Sequence, residues 1–314
     1  MEQLIKDLQI INGSLSHYSY DQLNNVLPVI IPQVPIFIIQ SDKIPRIGRG
    51  LYRDPSIIFR ARPNKSKSDD TTMEMPWTQI SDISIVPDNE RKKIAFGRAN
   101  KEYQSRFYAS NDWHVACYET IWHKFPLGTK SNSQNLTLGI WKIIEPLTLA
   151  FIPFSKKFVS RIRKDGQKIY EDIDTFISND EQQIENILLK NTCDKNKDKF
   201  LIDFFSDEFA KLEINCKNDY FLSNFYCDQV FDKCSNENGI NDIDGIVFPS
   251  VSFAYQSYNI VLHPRSLPKL RFQEAMYVWV TFFSDSKEMQ YIPLEQNVKA
   301  DSTGQLIWNK FKSK

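Results

Sequence analysis

Two groups of β-branched and aromatic runs stand on either side of a charged, Asn- and Lys-rich stretch. That order argues for an α/β fold with a helical segment between two sheet-forming parts. Strands are predicted at Pro35–Gln40, Ser56–Ala61 and Arg106–Ala109, and in two runs of Leu136–Phe154 broken near Glu145-Pro146. They return at Gly245–Phe248, Ser257–Leu262 and Ala275–Phe283. Between these groups the apolar spacing turns helical, and helices fit 157–173, 180–191, 198–212 and 218–234. Short helices also fit 3–12 and 20–28, the second closed by Pro28 and Pro32. A further helix fits about 112–125, capped by Ser110-Asn-Asp112. Asn64–Thr72 is polar and reads as a loop, and the last dozen residues are expected to fray. There is no internal repeat, and the expected class is α/β in the α+β sense.

Charge excludes some partners. Lys plus Arg and Asp plus Glu number 39 each, so no net field draws the chain to nucleic acid or an anionic membrane. One local run is basic: Lys43, Arg46, Arg49, Arg53, Arg60 and Arg62 stand against Asp54 alone. Such a run is either a solvated face or a holder of a small anion. Only 10 glycines are present, and neither GxGxxG nor GxxxxGK[ST] occurs, so no glycine-rich phosphate loop is expected. Five cysteines without a CxxC pair, and four histidines without HExxH, make a disulfide framework and a metal site poor expectations. The N-terminus lacks the basic start and apolar core of a secretory signal. The apolar run Leu147–Phe154 is too short to span a bilayer and contains Pro153. The expected location is the cytoplasm, with thiols reduced.

Four features stand out as candidate chemistry. Glu119 shares a helix face with Val115, Ala116 and Trp122, and a carboxylate on an apolar face must be paired or working. Its alternatives are a structural salt bridge and a catalytic role. Arg60 and Arg62 in Phe-Arg-Ala-Arg project to one side of a strand, as a diphosphate clamp or as solvated charges. Phe96-Gly-Arg-Ala-Asn100 places Arg98 between a permissive glycine and a turn-closing asparagine. Ser250 follows Pro249 at a strand end, outside any GxSxG elbow, as a binding residue or an ordinary turn serine.

The order of the motifs adds what none carries alone. Phe59-Arg-Ala-Arg62, Gly97-Arg-Ala-Asn100, Phe107-Tyr-Ala-Ser110, Ala116-Cys-Tyr-Glu119, Gly245-Ile-Val-Phe-Pro-Ser-Val251 and Asn259-Ile-Val-Leu262 together resemble the RES-domain family, over roughly residues 53–270. That family is named for an arginine, a glutamate and a serine. The resemblance implies an ADP-ribosyltransferase-like mixed sheet core with flanking helices and a helical insertion. Residues 1–52 would be a partly helical extension, and 53–314 the catalytic domain, with the insertion at about 157–240. Family members are bacterial toxins of Xre–RES toxin–antitoxin pairs that deplete NAD⁺ by hydrolysis or phosphorolysis. Some transfer ADP-ribose to protein.

By the resemblance, Arg60, Glu119 and Ser250 are the catalytic residues, and Arg98 and Tyr108 are substrate contacts. Arg62, from its place beside Arg60 on the strand, and Asn259 are expected as further substrate contacts, and no metal is expected to take part. NAD⁺ is then a substrate rather than a cofactor, with inorganic phosphate and a cognate antitoxin as further partners. Two departures are visible. The chain is much longer than the usual family toxin, and Ala61 and Ala99 stand where the family often has Tyr and Phe. The alternatives are a protein ADP-ribosyltransferase and a non-catalytic NAD⁺-binding or interaction module.

Overall fold

The β-branched and aromatic runs pair into a single sheet. A computed structural model describes residues 1–44, 54–64, 75–121, 131–154, 160, 182, 194–211, 214–233, 243–250, 257–283 and 288–309. The strands are β1 Phe37–Gln40, β2 Ile57–Pro63, β3 Phe107–Ser110, β4 Ser131–Ile143, β5 Thr148–Phe151, β6 Gly245–Pro249, β7 Tyr258–Leu262, β8 Leu270–Phe283 and β9 Glu288–Val298. They form one nine-stranded sheet in the order β1-β5-β6-β7-β3-β2-β4-β8-β9. Neighbours run antiparallel except β5 and β6, which are parallel. Among the described residues the helices with described bounds are α1 Glu2–Gly13, α2 Tyr20–Ile30, α3 Trp113–Ile121, α4 Lys195–Phe209 and α5 Phe221–Asp228, the last continuing into a π-helical turn at Gln229–Lys233. The class is mixed α/β, as expected.

Paired residues on adjacent strands share a face. Phe248, Asn259, Ser110 and Phe59 therefore form a row across β6, β7, β3 and β2. On this face α3 packs Trp113, Ala116, Cys117 and Ile121 against Phe59, Leu138, Ile140 and Met276. Over the other half of the same face, α1, α2, α4 and α5 share one core with Ile246, Phe248 and Val261. The opposite face carries Ile58, Phe107, Val247 and Ile260, joined by Ile80 and Leu267 from the short turns Ile80–Ile83 and Pro264–Lys269.

The sheet is nearly split in its middle. β2 pairs with β4 along its whole length but meets β3 at one position, Phe59 with Ser110. Beyond it, Arg60 and Ala61 part from Tyr108 and Ala109. The helical cover divides in the same region, between α3 and the bundle of the other helices.

Helix starts follow local chemistry. Ser19 and Gln22 make a reciprocal capping box for α2. The Asp112 carboxylate accepts from the backbone N–H of His114 at 2.8 Å, capping α3. Pro28 lies inside the last turn of α2 rather than beyond it. The stretch expected as an extension, 1–52, supplies β1 to the sheet edge and two helices to the core. The helices expected at 157–173 and 180–191 fall almost wholly outside the described residues, as do Arg46, Arg49, Arg53 and the loop from Lys65 to Thr72.

The expectation that the C-terminus frays is corrected for residues up to 309. Leu306 N–H donates to Thr78 O at 2.8 Å, and Trp308 Nε1 donates to Trp77 O at 2.8 Å. Both side chains are buried. No helix among the described residues is long and apolar enough to cross a membrane.

Candidate functional site

A cleft of about 300 Å³ opens where β2 and β3 part. Arg60 and Ala61 line it from β2, Tyr108 and Ala109 from β3, Phe248 from β6 and Asn259 from β7. Ala116, Glu119 and Thr120 line it from α3, and Gly97, Arg98 and Asn100 form a further wall.

Glu119 is half-buried and held from the sheet. Ser250 Oγ donates to Glu119 Oε1 at 2.5 Å, and Asn259 Nδ2 donates to the same oxygen at 3.0 Å. Sheet register explains why they meet. Phe248 pairs with Asn259, and alternation carries Ser250 to that same face, toward α3. The backbone N–H of Ser250 donates to Ser257 O at 2.9 Å, which closes β6 against the start of β7. Two donors on one oxygen hold the carboxylate in a single orientation. Ser250 is wholly buried and does not line the cleft, so it acts on Glu119 from behind.

Arg60 presents a cation to the same cleft. It is 8% exposed, its Nη1 donates to Tyr108 O at 2.8 Å, and its guanidinium carbon lies 5.1 Å from the centre of the Phe107 ring. Nε makes no hydrogen bond, and no carboxylate pairs with Arg60 among the described residues. Burial, with a smaller contribution from neighbouring Arg62, lowers its pKa from the ordinary arginine range to about 9, against a small opposing effect of Tyr108. A desolvated cation without a counter-ion favours an anionic ligand.

The other two arginines are engaged elsewhere. Alternation does place Arg62 beside Arg60, but Arg62 Nη1 donates to Asp82 O and its guanidinium lies 4.8 Å from the Trp77 ring centre. It does not line the cleft. Arg98 lines the cleft, yet its Nη1 donates to Phe209 O at 2.9 Å and its Nη2 to Lys211 O. These carbonyls lie at the C-terminal end of α4, where unpaired acceptors and the helix dipole suit a guanidinium. Arg98 thus ties the wall to a helix, and the expected grip on a diphosphate is not its visible role.

Tyr108 also works on the wall. Its hydroxyl donates to Asn100 Oδ1 at 2.8 Å and accepts from Ala99 N–H at 3.0 Å, and burial pushes the phenol well up. Asn100 Nδ2 in turn donates to Ala95 O at 2.8 Å and Lys101 O at 2.9 Å. A Cβ on residue 97 would sit 2.5 Å from Asn100 Oδ1, so this close turn requires Gly97.

Among the expected residues, Arg60, Glu119, Arg98, Tyr108 and Asn259 line one cleft, with Ser250 behind it and Arg62 outside. Sequence reasoning missed Phe248 and Thr120. Phe248 was reachable, since it alternates with Ser250 along one strand face. Thr120 donates to Ala116 O at 2.7 Å within α3, the i to i−4 back-bond open to any helical threonine, so nothing local marked it as a cleft residue. No group of three or more His, Cys, Asp or Glu among the described residues is placed to hold a metal ion. Comparison of the chain with family models, with curated proteins and with solved structures finds no match in any of the three.

Proposed function

We propose that this cleft binds NAD⁺ and breaks its nicotinamide–ribose bond, on an ADP-ribosyltransferase-like fold of the RES family. The observation that carries the reading is a fixed carboxylate beside a buried cation that has no carboxylate partner among the described residues. Glu119 is oriented by Ser250 and Asn259, and Arg60 faces the same space. NAD⁺ has the complementary charges: a cationic nicotinamide that leaves and a diphosphate that stays.

As the glycosidic bond lengthens, the ribose takes on oxocarbenium character. A preorganised carboxylate stabilises that developing charge without having to reorient. Glu119 takes this role and also receives the ribose hydroxyls. Ser250 and Asn259 position it, Asn259 from within the cleft and Ser250 from behind. Arg60 holds the diphosphate by charge-assisted hydrogen bonds. Tyr108 flanks the nicotinamide ring. Arg98 keeps the wall in place. The cleft volume lies at the lower end of the range for small-molecule sites.

On this reading the protein is a cytoplasmic toxin, and a partner protein that covers the cleft would restrain it. The test is nicotinamide release from NAD⁺ by the purified protein, followed by chromatography with and without inorganic phosphate. Release that yields ADP-ribose supports hydrolysis, and release that yields ADP-ribose phosphate supports phosphorolysis. Label transferred from NAD⁺ to proteins of a cell extract supports ADP-ribosyl transfer. Absence of nicotinamide under all three conditions contradicts the reading.

A further inference from the structure

We propose that α4 and α5 are working parts of the cleft wall and that Asn224 is a positioning residue for it. The proposal rests on NAD⁺ being the ligand only where turnover is the readout.

Residues Gly97–Asn100 lie in a turn, outside any named strand or helix. A segment of that kind is placed by the groups that grip it. Asn224, on α5 and 1% exposed, donates through Nδ2 to Gly97 O at 2.7 Å and to Tyr220 O at 2.9 Å. One turn on, Cys227 Sγ lies 3.9 Å from Arg98 O. The Arg98 side chain reaches the end of α4, as described above. Consecutive wall carbonyls therefore meet α5, while the side chain between them is anchored to α4.

The grip is itself anchored. Asp228 lies four residues beyond Asn224, on the same side of the helix. It accepts from Tyr20 Oη of α2 at 2.8 Å and pairs with Lys101 Nζ at 3.0 Å. Lys101 follows the wall directly, so α5 holds the turn at both of its ends. A floppy turn would let the cleft wall shift and loosen the shape of the site, while Glu119, on α3, would stay in place. The expected consequence is weaker binding with intact chemistry.

The test is Asn224→Ala, read by steady-state nicotinamide release, hydrogen exchange of the amides at residues 96–101 and urea unfolding. Of the two hydrogen bonds lost, the one that reaches the wall, to Gly97 O, corresponds to about a fivefold rise in KM. The kcat should stay within about twofold, and wall amides should exchange faster while those of α3 do not. A kcat that falls at unchanged KM is what a loss of folded protein alone produces, and it overturns the proposal. So does a variant whose KM and wall exchange match the wild type. If the wild type releases no nicotinamide, the proposed function fails by itself. Exchange then decides the role of Asn224: faster exchange confined to the wall supports it, and unchanged exchange overturns it. Should Asn224→Ala not fold, Asn224→Ser, which keeps a hydroxyl donor, is judged by the same measurements.

Discussion

Replacing Arg60 by methionine should leave the fold no less stable while removing its response to NAD⁺. Burial with little compensation lowers this guanidinium from the ordinary arginine range to about 9, a cost to the charged form of order a few kcal/mol, ~5 at most. Because the folded-state value is depressed, the cost is present in full below about pH 9 and is relieved as pH rises above it toward the ordinary arginine range. Methionine removes the cost but also strands Tyr108 O, at about 1–3 kcal/mol, and forfeits the stacking on Phe107, at about 0.5–2 kcal/mol. The net lies at roughly 0–3 kcal/mol in favour of Arg60→Met. Urea unfolding at pH 7 measures it, provided the slope of the transition is unchanged. Ligand is added in a second series. NAD⁺ at a hundred times its Kd should stabilise the wild type by about 2.7 kcal/mol and leave the variant unmoved. A variant destabilised by more than about 2 kcal/mol, or one that still responds to NAD⁺, would refute the view of Arg60 as a cation kept for an anionic ligand.

Two further substitutions separate neighbouring roles. Ser250→Ala removes a charge-assisted hydrogen bond from Glu119 without altering the cleft lining, so kcat should fall roughly tenfold to a hundredfold. Its KM should stay within about threefold, and steady-state kinetics showing the reverse split would mean that Ser250 touches the ligand. Arg62→Ala should cost stability through the lost contacts to Asp82 and Trp77 but leave KM within about twofold. A tenfold rise in KM would return Arg62 to the site.

Strand alternation and motif order made much of the site legible. The pattern Phe-Arg-Ala-Arg correctly placed Arg60 and Arg62 on one side of β2. It does not show that Trp77 and Asp82, from a separate turn, capture only the second arginine. Glu119 was singled out as a carboxylate on an apolar face. In the fold α3 is buried on nearly every side, through Trp113, Val115, Cys117, Tyr118 and Ile121, so the face itself is not distinctive. What distinguishes Glu119 is the pair of donors arriving from β7 and from the end of β6, more than a hundred residues away in the chain.

The split between β2 and β3 left no trace in composition, because a missing ladder is a property of pairing rather than of either strand. β9 was missed for a different reason. Glu288–Val298 holds Pro293 and several polar residues, as tolerated on an edge strand, and this blurs the period-two signal. The role of Asn224 rests on a contact spanning 127 residues, which no local pattern encodes.

Glu119→Gln compared with the wild type in nicotinamide release from NAD⁺ tests the central assignment most directly. The substitution keeps shape and one acceptor oxygen for Ser250 and Asn259 while removing the charge that would face the developing oxocarbenium. Release should fall by about a hundredfold or more, while NAD⁺ still stabilises the variant against urea. Equal release by the two proteins, or none from the wild type with water, phosphate or protein as acceptor, would contradict it.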